Sequence, residues 1–166
     1  MMREKRLLRL RLMRITKILL SLAIVLVFAG LISLHIAQRP LQKKQTVTID
    51  LVEKYAKFHD VSDFSKSNVD NIYYSVAGMN KDNKPSFAVV TKNMNHIKIF
   101  KQSDGINKSK AKSIAMTNNN QKITNTGLIL VKDKPAWLIS LKNSDGSYRY
   151  VTINFKNGKK LSSINV

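Results

Sequence analysis

The sequence predicts an α+β protein. A transmembrane helix near the N-terminus is followed by two small lobes, each a helix packed on an antiparallel sheet. Three observations predict this. An uncharged, apolar run, Ile18–Ala37, follows a strongly basic tail. Helical periodicity then gives way to strands separated by turns, and the order helix-then-strands occurs a second time. In 166 residues there is room for one ordinary domain or two very small ones.

The tail, residues 1–17, carries Arg3, Lys5, Arg6, Arg9, Arg11, Arg14 and Lys17 against Glu4 alone. At 1.5 Å per residue, the run 18–37 spans about 30 Å, the thickness of a bilayer's hydrocarbon core. A lone segment crosses there only as a helix, whose backbone bonds close internally. The tail's cations outweigh Arg39, Lys43 and Lys44 on the other flank. The positive-inside rule therefore places the N-terminus in the cytoplasm and the C-terminal part outside a single-pass cell-membrane protein. A cleaved signal peptide ending at Val27-Phe28-Ala29 is the competing reading. The apolar run continues through Leu31, Ile32, Leu34 and Ile36, which favours an anchor that stays. The chain has no cysteine, so disulfides, thiolate metal sites and a lipidated cysteine are excluded.

Residues 38–45 read as a polar link, with Pro40 ending the membrane helix. The first lobe, 46–103, opens with a helix whose Val47, Leu51, Val52, Tyr55 and Phe58 share one face. Thr46 or Thr48 is its expected cap, and His59 suits its negative end. Strands follow at 70–77, 87–90 and 96–100, with 61–64 as an edge. The second lobe, 104–166, repeats the order. Asn107 caps a helix over 108–118 with Ala111, Ile114 and Ala115 as its stripe. Strands are expected at 127–131, 136–141, 148–155 and 160–166. Turns fall at Lys132-Asp133-Lys134-Pro135 and at Asn157-Gly158. Lobes this small bury little core alone, so the two are expected to share apolar surface.

Charge narrows the partners. Of 29 Lys and Arg and 10 acids, seven cations and one acid lie in the tail, leaving the remainder at a net +13. Outside a bacterial membrane, such a surface attracts lipid headgroups and anionic wall polymers. Its topology argues against nucleic acid. Catalytic patterns are missing: there is no G-x-S-x-G, no glycine-rich phosphate loop, and no spacing of His35, His59 and His96 suited to a metal. No catalytic residue, cofactor or metal is expected. Trp137 reads as a core aromatic, with an anchor for a partner as the functional alternative. On the strand 148–155, Tyr148, Tyr150 and Thr152 alternate with Arg149, Val151, Ile153 and Phe155. With the apolar set inward, Tyr148 and Tyr150 face out as a partner-binding surface.

Three stretches carry a family resemblance: GINKSKAKSIA (105–115), AWLISL (136–141) and YRYVTINFKNGKKL (148–161). They resemble the PepSY-like module, with its capped helix after a Gly-Ile step, an aromatic-led strand and a closing hairpin. The whole chain is similar to the YpmB/TseB family of cell-wall elongation regulators of Gram-positive bacteria. The resemblance implies two tandem cystatin-like, PepSY-like lobes behind a membrane anchor. It also implies a non-enzymatic role in peptidoglycan synthesis through a penicillin-binding protein or other wall-synthesis protein. A membrane-tethered inhibitor or chaperone of secreted proteases is the alternative that PepSY modules suggest. The chain departs from the module's pattern at Asn154, where an acid is usual, at Asn157, where Thr is usual, and at Lys110, where a capping acid is usual.

Overall fold

The computed structural model describes residues 2–117 and 120–166. For residues 2–15, 18 and 34–41, all inside the first helix, it describes the backbone path alone. Two compact units result, Met1–Lys44 and Gln45–Val166.

The first unit is helical. Helix α1 spans Met2–Ala56 without interruption. Every described side chain from Leu19 to Ser33 is exposed, including Leu20, Ile24, Leu26, Phe28 and Ile32. A helix apolar on all sides has no inward stripe to bury against a soluble core. The expected span 18–37 falls here, but Ile18 and Leu34–Ala37 lie outside the described side chains. Among the described residues, no helix is long and apolar enough to cross a membrane. Of the topology residues, Lys17 is exposed, whereas the side chains of Arg3, Lys5, Arg6, Arg9, Arg11 and Arg14, like His35, lie outside the described set.

The polar link is corrected. Residues 38–45 are helical, and Pro40 sits within α1 rather than after it. A proline removes one backbone donor, but strong helix formers on both sides can carry the helix across it. Since the helix runs on, Thr46 and Thr48 lie in its interior rather than at its start. Of the predicted face, Val52 and Phe58 are buried and Leu51 is half-buried, whereas Val47 and Tyr55 are exposed; Thr48 is buried as well. After Ala56, Lys57 adopts φ 55°, a left-handed residue that ends the helix. His59 therefore opens a strand and caps no helix.

The second unit holds two four-stranded antiparallel meanders. The first sheet has β1 (His59–Asn68), β2 (Ile72–Met79), β3 (Pro85–Thr91) and β4 (Ile97–Lys101), in that spatial order. A 3₁₀ turn, Gln102–Asp104, leads to α2 (Lys108–Ala115). The second sheet has β5 (Lys122–Val131), β6 (Lys134–Lys142), β7 (Tyr148–Asn154) and β8 (Lys160–Asn165), again in chain order. The two-sheet α+β architecture is thus as the sequence predicts. Asn118 and Asn119, expected to end α2, lie outside the described residues; the helix closes earlier, at Met116, whose N–H bonds the Lys112 carbonyl.

Alternation along each strand builds three packed layers. Tyr74, Val76, Ala88 and Val90 meet Val52 of α1 and Phe58 on one side of the first sheet. On its other side, Ala77, Phe87 and Val89 join Leu128, Trp137, Ile139, Val151, Ile153 and Phe155 of the second lobe, with Ala111 and Ala115 of α2. The lobes share one core, as their size requires. Polar bonds register them: Ser65 Oγ lies 3.0 Å from Asn125 Oδ1, Asn125 Nδ2 donates to the Lys66 carbonyl, and Leu128 N–H donates to Ser75 Oγ. Ion pairs Lys98–Asp133 (2.7 Å) and Lys108–Asp63 (2.5 Å) cross the same boundary.

The predicted cap of α2 is present: Asn107 Oδ1 accepts from Lys110 N–H at 2.8 Å. Asn107→Ala is expected to cost about 1 kcal/mol and Asn107→Ser only a few tenths, read by urea unfolding. At the other end of α2, Arg149 Nη2 donates to the Ala115 carbonyl at 2.6 Å, a cation at the negative end of the helix. The departures from the PepSY pattern keep their turn geometry. Asn154 Oδ1 accepts from Lys156 N–H at 2.9 Å and Asn157 N–H at 3.3 Å, and Asn157 Oδ1 accepts from Lys159 N–H. An amide oxygen serves these Asx turns as a carboxylate would.

Candidate functional site

The surface with the best claim to a function is the face of the second sheet opposite α2. Its floor is Ile129, Ala136 and Leu138, a small apolar cluster flanked by Tyr73, Val131 and Tyr150. Above that floor lies a groove of about 380 Å³. The β1–β2 turn, Val69-Asp70-Asn71, and Tyr73 form one wall. Leu161, Ser162 and Ile164 of β8 form the other. Strand pairing explains the arrangement. Tyr150 stands opposite Ile164 and Thr152 opposite Ser162, so these four side chains share the groove face.

The expected outward tyrosine face is only partly outward. Tyr148 is 39% exposed at the end of β7, Tyr150 is half-buried against the apolar floor, and Thr152 is buried. The face is recessed because the β1–β2 turn of the other lobe stands beside it. A single strand's alternation cannot show that neighbour. Val69, Asp70, Asn71 and Tyr73 were not singled out from sequence, and no local pattern marks them.

Trp137 is a core aromatic, the first of its two readings. It is 2% exposed, packs edge-on against Phe87 with ring centroids 5.2 Å apart, and donates from Nε1 to the Ile106 carbonyl at 2.9 Å. All of its surface is spent inside the protein. Gly105, which opens the first of the three stretches, is half-buried. A Cβ there would lie 2.4 Å from the Phe155 carbonyl oxygen, so the Gly-Ile step brings the chain against β7's end where no side chain fits.

A second hollow of about 580 Å³ lies at the sheet end, lined by Phe100, Asp104, Lys134, Pro135, Phe155 and Lys156 among others. Close by, the β5–β6 connection is tighter than predicted. Lys132 and Asp133 alone make the turn, with φ of 47° and 65°, while Lys134 and Pro135 belong to β6. Such a two-residue turn with both φ positive matches the twist of a hairpin. The hydrogen bond and charge of Lys98 hold the Asp133 carboxyl below its ordinary pKa. Because the folded value is the lower one, this contact favours folding above the usual carboxylate range. The contribution fades as the pH falls through the lowered value.

His59 and His96 are exposed and stand on different strands or turns. Among the described residues, no group of His, Asp or Glu side chains comes together as a metal site. What the arrangement offers is an apolar-floored groove with aromatic and hydroxyl walls.

Two four-stranded meanders sharing one core, each associated with a helix, define a tandem-lobe α+β protein with a recessed sheet face. A family model described as a cell wall elongation regulator TseB-like domain matches residues 47–91. Another, described as a peptidase propeptide and YPEB domain (PepSY), matches residues 105–163. Over these two separate stretches the chain is similar to the YpmB/TseB-like family. Its fold is similar to that of the YpmB protein from Bacillus subtilis, with TM-score 0.55 and 20% identity over 69% of this chain and 91% of that one. A lipoprotein candidate from Clostridium difficile 630 aligns at TM-score 0.40 and 18% identity, over 74% of this chain and 92% of that one. That second likeness is too distant to carry an argument. No curated protein matches the sequence. Both matched domains are of regulatory or propeptide type, which supports a non-catalytic regulatory role.

Proposed function

We propose that this chain is a membrane-anchored, non-enzymatic regulator of cell-wall elongation that docks the second-sheet groove on a penicillin-binding transpeptidase outside the cytoplasm. One observation carries the reading. The groove is built jointly by the TseB-like stretch, through Val69–Asn71 and Tyr73, and by the PepSY stretch, through Leu138, Tyr150 and Leu161. A surface that needs both domains is the natural place for what the tandem does. The anchor is residues 18–37, and the apolar, fully exposed helix surface over Leu19–Ser33 supports it. The basic tail keeps the N-terminus inside. Confinement to the membrane plane raises the effective concentration of the partner, so a modest contact suffices.

The test is co-purification of the full chain from membranes in mild detergent. Wild type is expected to retain a penicillin-binding transpeptidase, detected with a labelled β-lactam. Ile164→Glu, which puts a charge on the groove's lip, is expected to lose at least tenfold of it with an unchanged melting temperature. Equal retention by the variant would remove the groove from the interface.

The peptidase-propeptide description of residues 105–163 favours a second reading, a tethered inhibitor or chaperone of secreted proteases. The same experiment separates the two, since a protease would be retained in place of the transpeptidase.

A further inference from the structure

Strand β8 differs from every other strand among the described residues: it is exposed along its whole length. It also ends the second sheet, so one of its edges pairs with no described strand. The pairing with β7 shows which backbone groups that edge presents. Tyr148 and Val166 exchange both N–H···O bonds at 2.8 Å. In an antiparallel pair, such positions recur every second residue. Ile164 opposite Tyr150 and Ser162 opposite Thr152 therefore turn their backbone groups toward β7. Ser163 and Asn165 turn theirs away, to the open side.

Open edges are usually guarded by charge, proline or a bulge, because they template pairing with another chain. Here the guards stand at one end only. Lys159 and Lys160 precede the strand's apolar part, and the register shifts beside Leu161. From Leu161 to Val166 no side chain is charged, while Leu161, Ile164 and Val166 are 47%, 46% and 75% exposed. The edge also opens on the groove, since Ser162 and Ile164 line it. A strand laid beside β8 would set every second side chain on the groove face of the sheet, next to Ser162 and Ile164.

We propose that β8 is a strand-addition site: it takes an extended segment of the partner polypeptide, bonded through the outward N–H and C=O groups of Ser163 and Asn165. The segment has apolar side chains at alternate positions, which lie against Ile164 at the groove's lip. It carries an acidic residue where it passes Lys159 and Lys160, because those cations flank an otherwise uncharged edge. This rests on the reading of the groove as the docking face and adds how the docking is made.

The test uses the full chain in mild detergent with a fluorescein-labelled peptide of alternating valine and threonine, preceded by two aspartates. Saturable binding by anisotropy is expected, together with slowed hydrogen exchange at the Ser163 and Asn165 amides. Ser163→Pro removes one outward N–H, spares every bond to β7, and is of the kind that edge strands tolerate. It is expected to weaken peptide binding at least tenfold with the melting temperature held. If Ser163→Pro proves unfolded, Asn165→Pro and the exchange measurement decide in its place. No binding, or undiminished binding by a folded proline variant, overturns the proposal. So does a dimer of this chain that shields the same amides, since the occupant is then a second copy. Transpeptidase capture lost with Ile164→Glu but kept with Ser163→Pro also overturns it and leaves the groove reading standing. Capture kept by both overturns both.

Discussion

Trp137→Ala is expected to lower stability by about 3–5 kcal/mol, the range for deleting a large buried aromatic. The indole touches both lobes at once. It packs on Phe87 from the first sheet and on Phe155 from the turn after β7, and its N–H holds the Ile106 carbonyl at the entry to α2. Deletion thus opens a cavity at the junction and leaves the Ile106 carbonyl short of a partner. Trp137→Phe keeps most of the volume and loses the hydrogen bond, so a cost of about 1–2 kcal/mol is expected. Urea unfolding followed by far-UV circular dichroism measures both. Equal costs for the two variants would mean that the ring's size contributes little.

Gly105→Ala is expected to cost about 3 kcal/mol, at or beyond the upper end for overpacking. The backbone there is extended, so no special φ is at stake; the obstacle is space. The added carbon would lie 2.4 Å from a backbone oxygen and 2.5 Å from the Phe155 ring. A ring can turn aside, but the Phe155 carbonyl cannot move away without breaking the hydrogen bond that it accepts from Ile106 N–H. The displaced segment carries Ile106, whose N–H donates to the Phe155 carbonyl at 2.8 Å and whose own carbonyl accepts from Trp137. As the sole tryptophan, Trp137 reports the change through its emission, expected to shift red as the segment lifts. A melting temperature within a degree of wild type and an unshifted emission would mean that the close approach is easily relaxed.

Much of the fold was legible because its signals are local. Period-two runs such as Ile97–Phe100 and Ala136–Leu141, an asparagine before a helix, and Asn157-Gly158 each act within a few residues. The second lobe's strands and the Asn107 cap follow from them. The start of the first helix was misread because Pro40 is a strong local breaker, and the competing preference came from helix formers on both flanks. That error propagated. Once the helix was taken to start at Thr46, Val47 and Tyr55 were placed on its apolar face with Val52 and Phe58; the latter two are buried, as is Thr48, but Val47 and Tyr55 are exposed. The groove was legible only on one side. Tyr150 was identified from β7's alternation, but the wall across from it belongs to a turn nearly 80 residues earlier in the chain. Such a juxtaposition is a property of lobe packing, and no window on a single strand contains it.

The common core has a consequence for how the molecule wears. Each sheet has one face covered by the other lobe: Phe87 and Val89 are sealed by Trp137 and Phe155, and the reverse holds. Opening one half strips the other of its cover, so the halves are coupled into one melting unit. A protease then finds no half-open form to cut, and nicking must wait for rare excursions of the entire C-terminal unit.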